Sequence, residues 1–185
     1  MSSAAPDTSG HSPIDDFSQC HAGILGHLQL LGGLPALLEP AAQARRVAAD
    51  ALSFFRAVVF EHHAEEESEL FPAVLASATK GAEREKVQQL VDALTAEHRQ
   101  VEAAWNRIEP KLKAVAKGHD TDVDPAAIAT LVKIYQAHAR FEEEQFLPLS
   151  QTILARNSNH LAALGVAMHM RHALPEVLQR YGSRI

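Results

Sequence analysis

The strongest constraint on this chain is a motif written twice. His62-His63-Ala64-Glu65-Glu66-Glu67-Ser68-Glu69-Leu70-Phe71-Pro72 and His138-Ala139-Arg140-Phe141-Glu142-Glu143-Glu144-Gln145-Phe146-Leu147-Pro148 both read His-x-x-x-Glu, with a proline six residues after the glutamate. The offset is constant, since 138 − 62, 142 − 66 and 148 − 72 all equal 76. On a helix, positions i and i+4 stack on one face, so each copy aims one imidazole and one carboxylate at the same point. That donor pair suits a borderline transition metal. Each copy also has an upstream companion, His21 and His98, at gaps of 41 (62 − 21) and 40 (138 − 98). The chain is thus two half-repeats, and the repeat carries the candidate ligands with it.

The rest of the sequence tells which scaffold holds them. A length of 185 residues fits one domain, and 46% hydrophobic residues are enough for a core. Aromatics are only 5% while Ala and Leu are common, which favours helix over sheet. A net charge of −6 argues against a nucleic-acid partner. No unbroken apolar run of membrane-spanning length is read, and no membrane association is expected. The first residues lack the basic and apolar regions of a signal peptide. The single cysteine, Cys20, cannot form an internal disulfide, so a cytoplasmic location is the default; its thiol is read as buried and inert.

Residues 1–11 read as a disordered tail. A helix over about 13–34 carries Ile14, Phe17, His21, Ile24, Leu28 and Leu31 in steps of 3 and 4, the seam of a bundle helix. Gly32-Gly33-Leu34-Pro35 is expected to break it. A second helix over about 40–71 has the seam Leu52, Phe55, Val59, His62 and Glu66, with a kink or end expected at Pro72. A third over about 83–117 shows Val87, Val91, Leu94, His98, Val101, Trp105 and Ile108. A fourth over about 125–147 repeats the second with Ile128, Leu131, Tyr135, His138 and Glu142. A last helix over about 159–181 carries Leu161, Leu164, Met168 and His172. The expectation is an all-α fold, an antiparallel up-down four-helix bundle over 12–156 with an additional C-terminal helix over 157–185 packed on it. Polar residues in apolar seams must find partners or destabilise the core. Six at matching heights solve that together if a metal lies between them.

At these residues the chain resembles the hemerythrin-like (HHE cation-binding) family, over roughly residues 14 to 155. His21, His62-x-x-x-Glu66, His98 and His138-x-x-x-Glu142, followed by Phe71-Pro72 and Leu147-Pro148, carry the resemblance. The doubled motif is specific where a single His-x-x-x-Glu is not. The resemblance implies two iron ions in an oxo- or hydroxo-bridged di-iron centre, with Glu66 and Glu142 bridging and the four histidines capping. The chain departs from the oxygen carriers of the family. Their third helix has a second histidine four residues on, where Glu102 stands here, and their last carboxylate is an Asp five residues after its histidine, not Glu142 at four. The set instead resembles the family's iron-centre repair proteins and its iron-sensing ubiquitin-ligase subunit. Fewer protein ligands leave more open positions, which favours sensing, chemistry or metal exchange over quiet transport.

Glu102, Tyr135 and His63 stand as candidates for an additional ligand or for a partner behind the ligands. His63 and Glu67 lie about 100° round the helix from the seam, so His63 reads as exposed or as a backing residue, and the Glu65–Glu67 and Glu142–Glu144 runs as solvated faces with one carboxylate each turned inward. Three functional readings follow. One is a metal- and oxygen-binding protein meeting dioxygen, peroxide or nitric oxide. Another is a di-iron oxidase- or peroxidase-like enzyme, or an iron donor for repair of iron centres. The third is a regulatory interaction module gated by metal. The sequence names no protein partner.

Overall fold

The computed structural model describes residues 13–156, with side chains from Gln19 onward. The expected tail over 1–11 and the expected last helix over 159–181, with His169 and His172, lie outside the described residues. Among those described there is helix and no strand. Helix α1 spans Pro13–Phe54 and is followed by a π-helical turn, Phe55–Val59, and by α2, Phe60–Glu65. A second π-turn, Glu66–Leu70, leads into α3, Phe71–Ser77. Then come α4, Ala82–Ala116, and α5, Pro125–Phe141. A third π-turn, Glu142–Phe146, leads into α6, Leu147–Leu154.

The chain divides into two compact units, Met1–Arg46 and Val47–Ile185. In the first, α1 continues through the expected break. Gly32 and Gly33 do not adopt the positive φ with which glycine usually ends a helix, and Pro35 and Pro40 both lie inside. Leu30, Leu31, Leu34, Leu37 and Leu38 are exposed, so no packing pulls this Ala- and Leu-rich stretch out of the conformation its propensity favours. His21 and Cys20 are exposed here too, against the expectation that both are buried. The unbroken helical segment Gln19–Ser77 also includes a window apolar enough, by length and composition alone, to cross a membrane. That differs from the sequence reading because a window average tolerates the interruptions that an unbroken run does not.

In the second unit, three helical stretches run antiparallel in sequence order: α2 with α3, then α4, then α5 with α6. The turn into α4 uses Gly81 at φ 95°, and α4 ends at Gly118 at φ 74°, both backbone conformations that side chains disfavour. Asp124 caps α5, accepting from the Ala126 amide at 2.8 Å, with Pro125 in the first turn. Two apolar clusters form along α4. Val87, Val91 and Leu94 pack with Phe71, Val74, Phe146 and Ile153 towards one end. Val101, Trp105 and Ile108 pack with Val59 and Leu131 towards the other, where Phe55 stacks on Trp105 at 3.9 Å. Between Leu94 and Val101 lies His98, so a polar layer separates the two clusters.

Candidate metal centre

Both motif copies fold the same way at their glutamates. A π-turn begins at Glu66 and at Glu142, and in each the residue before the proline closes it: Phe71 N–H donates to the Glu66 carbonyl and Leu147 N–H to the Glu142 carbonyl. Proline has no amide to continue an α-helical ladder, and its ring crowds the carbonyl four residues back. The wider turn accommodates both defects, so neither Pro72 nor Pro148 ends its helix where an end or kink was expected at Pro72. Such π-turns concentrate at functional sites.

Six side chains converge in the polar layer, in two groups. One nitrogen each of His63, His98 and His138 lie within 4.8 Å of one another, as do ligand atoms of His62, Glu66 and Glu142. Glu66 joins the groups, with Oε1 3.2 Å from His62 Nε2 and Oε2 3.2 Å from His98 Nε2. His63, His98, His138, Glu66 and Glu142 are all buried, while His62 sits at the rim with a third of its side chain exposed. The His63 ring stacks on His98 at 4.0 Å and meets His138 edge-on at 5.4 Å.

Of the positions expected for His63, exposed or beside the ligands, its 2% exposure rules out the first. Neighbours on a regular α-helix point about 100° apart. The steps from Val59 to His63 to Glu66 are 4 and 3, as regular a helical seam as the 3 and 4 through His62, so periodicity alone does not choose between the two histidines. The buried line becomes Val59, His63, Glu66, Leu70, with His62 beside it. Glu65 is buried as well, so the first glutamate run is not a solvated face. Tyr135 lies near the centre, its ring 5.9 Å from that of His138. His21 belongs to the other unit and to neither group.

Sequence reasoning missed the residues behind the imidazoles. His98 Nδ1 stands 2.8 Å from Glu67 Oε1, and Glu67 Oε2 pairs with Arg99 at 2.5 Å. Arg99 in turn holds Glu102 at 2.5 Å, so Glu102 is the end of a surface chain and not a member of either group. His138 Nδ1 stands 3.2 Å from Glu97 Oε2. A carboxylate accepting the Nδ1 proton leaves Nε2 with its lone pair turned inward, the arrangement that orients metal-binding histidines. The signal was present in Glu97-His98, where a carboxylate adjoins a seam histidine, but it has meaning only once α5 is known to lie alongside.

The electrostatics are those of a crowded buried cluster. His63 is held down to about 3, first by burial and then by the rings of His98 and His138. Burial also lowers His138, against the opposing pull of Glu97. For His98, burial is outweighed by Glu66 and Glu67, and it titrates above the ordinary imidazole range. Glu142 is pushed up to about 8 by burial, then by its hydrogen bond to Glu66 and that group's charge. Burial would raise Glu66 too, but contact with His98, the charge of His62 and the proton shared with Glu142 hold it below the usual carboxylate range. Burial, then the charges of Glu66 and Glu142, raise the Tyr135 phenol.

The donor set fits a metal. Both ring nitrogens of His63 and Nε2 of His138 are buried without a hydrogen bond, while Nε2 of His98 and Oε2 of Glu66 face only each other at 3.2 Å. Polar atoms left so are costly unless something else binds them. Imidazole nitrogens mixed with carboxylate oxygens suit iron and its neighbours in the first transition row. A cavity of about 470 Å³, lined by His62, Glu66, Tyr135, His138 and Glu142 among others, opens on the cluster. No curated protein and no solved structure matches the chain. The family model described as the hemerythrin HHE cation-binding domain matches residues 12–150. That is most of the 185 residues, and the chain belongs to the hemerythrin HHE cation-binding family.

Proposed function

We propose that this protein binds a pair of iron ions and meets dioxygen, peroxide or nitric oxide at them, as a sensor, scavenger or iron handler. The observation that carries this is the buried cluster of imidazole nitrogens without hydrogen bonds, at the level of both motif copies. Bound there, iron supplies a redox-active centre with positions open to small ligands. The chain's own residues do the rest. Glu67 and Glu97 turn His98 and His138 to the centre. Glu142, pushed up to about 8 by burial and by Glu66, holds a proton at neutral pH that binding must displace. The cavity gives small molecules access past Tyr135.

In this reading His21 stays a candidate ligand beside His62, Glu66, His98, His138 and Glu142, because it precedes His62 by 41 residues as His98 precedes His138 by 40. The family match includes His21, and Ile24, Leu28 and Leu31 form an exposed apolar stripe at the spacing of a bundle seam. Anaerobic reconstitution with ferrous iron should give about two irons per chain by elemental analysis, as paired sites do. A folded protein that reproducibly takes up almost none overturns the proposal.

A second reading, a module gated by metal, draws on the same unbonded buried atoms. They destabilise the metal-free fold, so folding and loading are coupled. A large drop in melting temperature on chelation favours it; an unchanged one removes it.

A further inference from the structure

We infer that the centre is built of two chemically unequal half-sites, and that His63 is the third imidazole of a nitrogen-only one with His98 and His138. His62, Glu66 and Glu142 then form an oxygen-rich partner. This rests on the paired-metal reading above and goes beyond it, because His63 there has no role.

The geometry distinguishes the halves, with Glu66 between them, one oxygen 3.2 Å from His62 Nε2 and the other 3.2 Å from His98 Nε2. The three imidazoles bring nitrogens within 4.8 Å of one another, and the one histidine and two carboxylates do the same among themselves. His98 and His138 each have a carboxylate at Nδ1, which leaves Nε2 as the inward donor. His63 has no such partner: both its nitrogens are buried without a hydrogen bond, on a ring that lies parallel to His98 at 4.0 Å and must rotate about its side-chain bonds for its in-plane lone pair to meet a shared ion. A core histidine serving packing alone would have at least one nitrogen satisfied. His62, by contrast, stands at the rim beside Glu66.

The chemistry of the halves differs accordingly. Three neutral imidazoles favour a borderline divalent ion, and along the first row they hold cobalt and zinc more tightly than ferrous iron. One imidazole and two carboxylates form a harder site, suited to ferrous or manganous ions. The nitrogen half-site fills first and exchanges slowly. The oxygen-rich half-site at the cavity mouth fills second and exchanges readily, so the chain can hold two different metals.

Anaerobic titration of the metal-free protein with cobalt(II), followed by visible absorption and calorimetry, reads this directly. The wild type should bind in two resolved steps. His63→Phe should weaken the first step by more than the roughly 10- to 100-fold that loss of an outer partner costs, and leave the second in place. His62→Ala should do the reverse. His63→Phe should also raise the melting temperature of the metal-free protein, because it removes the unbonded nitrogens while filling the same space. Two steps in the wild type that are unchanged in His63→Phe overturn this inference and leave the paired-metal reading standing, as does a His63→Phe protein that melts lower and binds cobalt normally. A wild type that binds no cobalt and no iron overturns both.

Discussion

The two motif copies share a backbone and differ in their surroundings. Each has its π-turn at the glutamate and the same hydrogen bond ahead of its proline. Yet the first copy buries His63, Glu65 and Glu66 and sends Glu67 across to His98 on α4. The second buries His138 and Glu142, leaves Glu143 and Glu144 in solvent, and receives support for His138 from Glu97 on α4. A sequence repeat thus fixes local conformation, while each copy's role depends on what the intervening helix presents to it. The sharpest contrast is between the two inward glutamates. Glu66 touches His62, His98 and Glu142, whereas Glu142 is bonded to Glu66 and lies outside the imidazole trio. Glu66→Ala should lose the metal of the oxygen-rich half and also weaken the imidazole half, because it removes the contact to His98, whereas Glu142→Ala should retain about one metal per chain at undiminished affinity. Equal loss in both, by elemental analysis after reconstitution, would erase the asymmetry.

Stability should divide the copies next. Phe71 and Leu147 are equivalent in the repeat, but Phe71 is 2% exposed and packs edge-on against Phe146 at 5.1 Å, while Leu147 is 39% exposed. Phe71→Ala should destabilise the metal-free protein by about 3–5 kcal/mol in urea unfolding. Leu147→Ala should cost less than about 1 kcal/mol. Similar losses would mean that the copies are packed alike.

Much of this arrangement was legible before the structure. The 3-4 seams identified Val87 to Ile108 on one face of α4, and the constant offset paired His62 with His138 and Glu66 with Glu142, while His21, the counterpart of His98, stands in neither group. What was not legible has physical causes. The 3-4 pattern admits either His62 or His63 between Val59 and Glu66, and only the packing of α2 against α4 and α5 selects His63 as the buried one. Gly-Gly-Leu-Pro reads as a break because its two glycines and its proline disfavour helix, yet a break also needs packing or a cap to reward it, and the exposed leucines of α1 offer neither. The carboxylates behind the imidazoles reach across helices, so no periodicity within one helix reveals them.

Those carboxylates give a subtler test. Both Glu67→Gln and Glu97→Gln keep the side chain's shape while removing the charge that favours the Nδ1 proton. Each should weaken metal binding by about 10- to 100-fold. Glu67→Gln should sit at the stronger end, because its contact is 2.8 Å against 3.2 Å and Arg99 holds it in place. Competition against a chelator of known strength measures both. If Glu67→Gln binds metal like the wild type, His98 is oriented by packing alone.

The smallest effect is expected where the copies agree. Pro72 and Pro148 are exposed and each follows a π-turn that already supplies its hydrogen bond through the preceding amide. If the turns fit the prolines without strain, each proline stabilises the fold by limiting the unfolded chain. Pro72→Ala and Pro148→Ala should then each destabilise by about 0.4–1 kcal/mol, and by similar amounts. If instead the prolines force the π-turns on helices that would otherwise be regular, alanine restores an amide for the carbonyl four residues back, and both variants become more stable. Urea unfolding of the two variants decides the sign. A gain in one copy and a loss in the other would show that the backbones are unequal as well, and that the asymmetry of the centre begins in the helices and not in the side chains they carry.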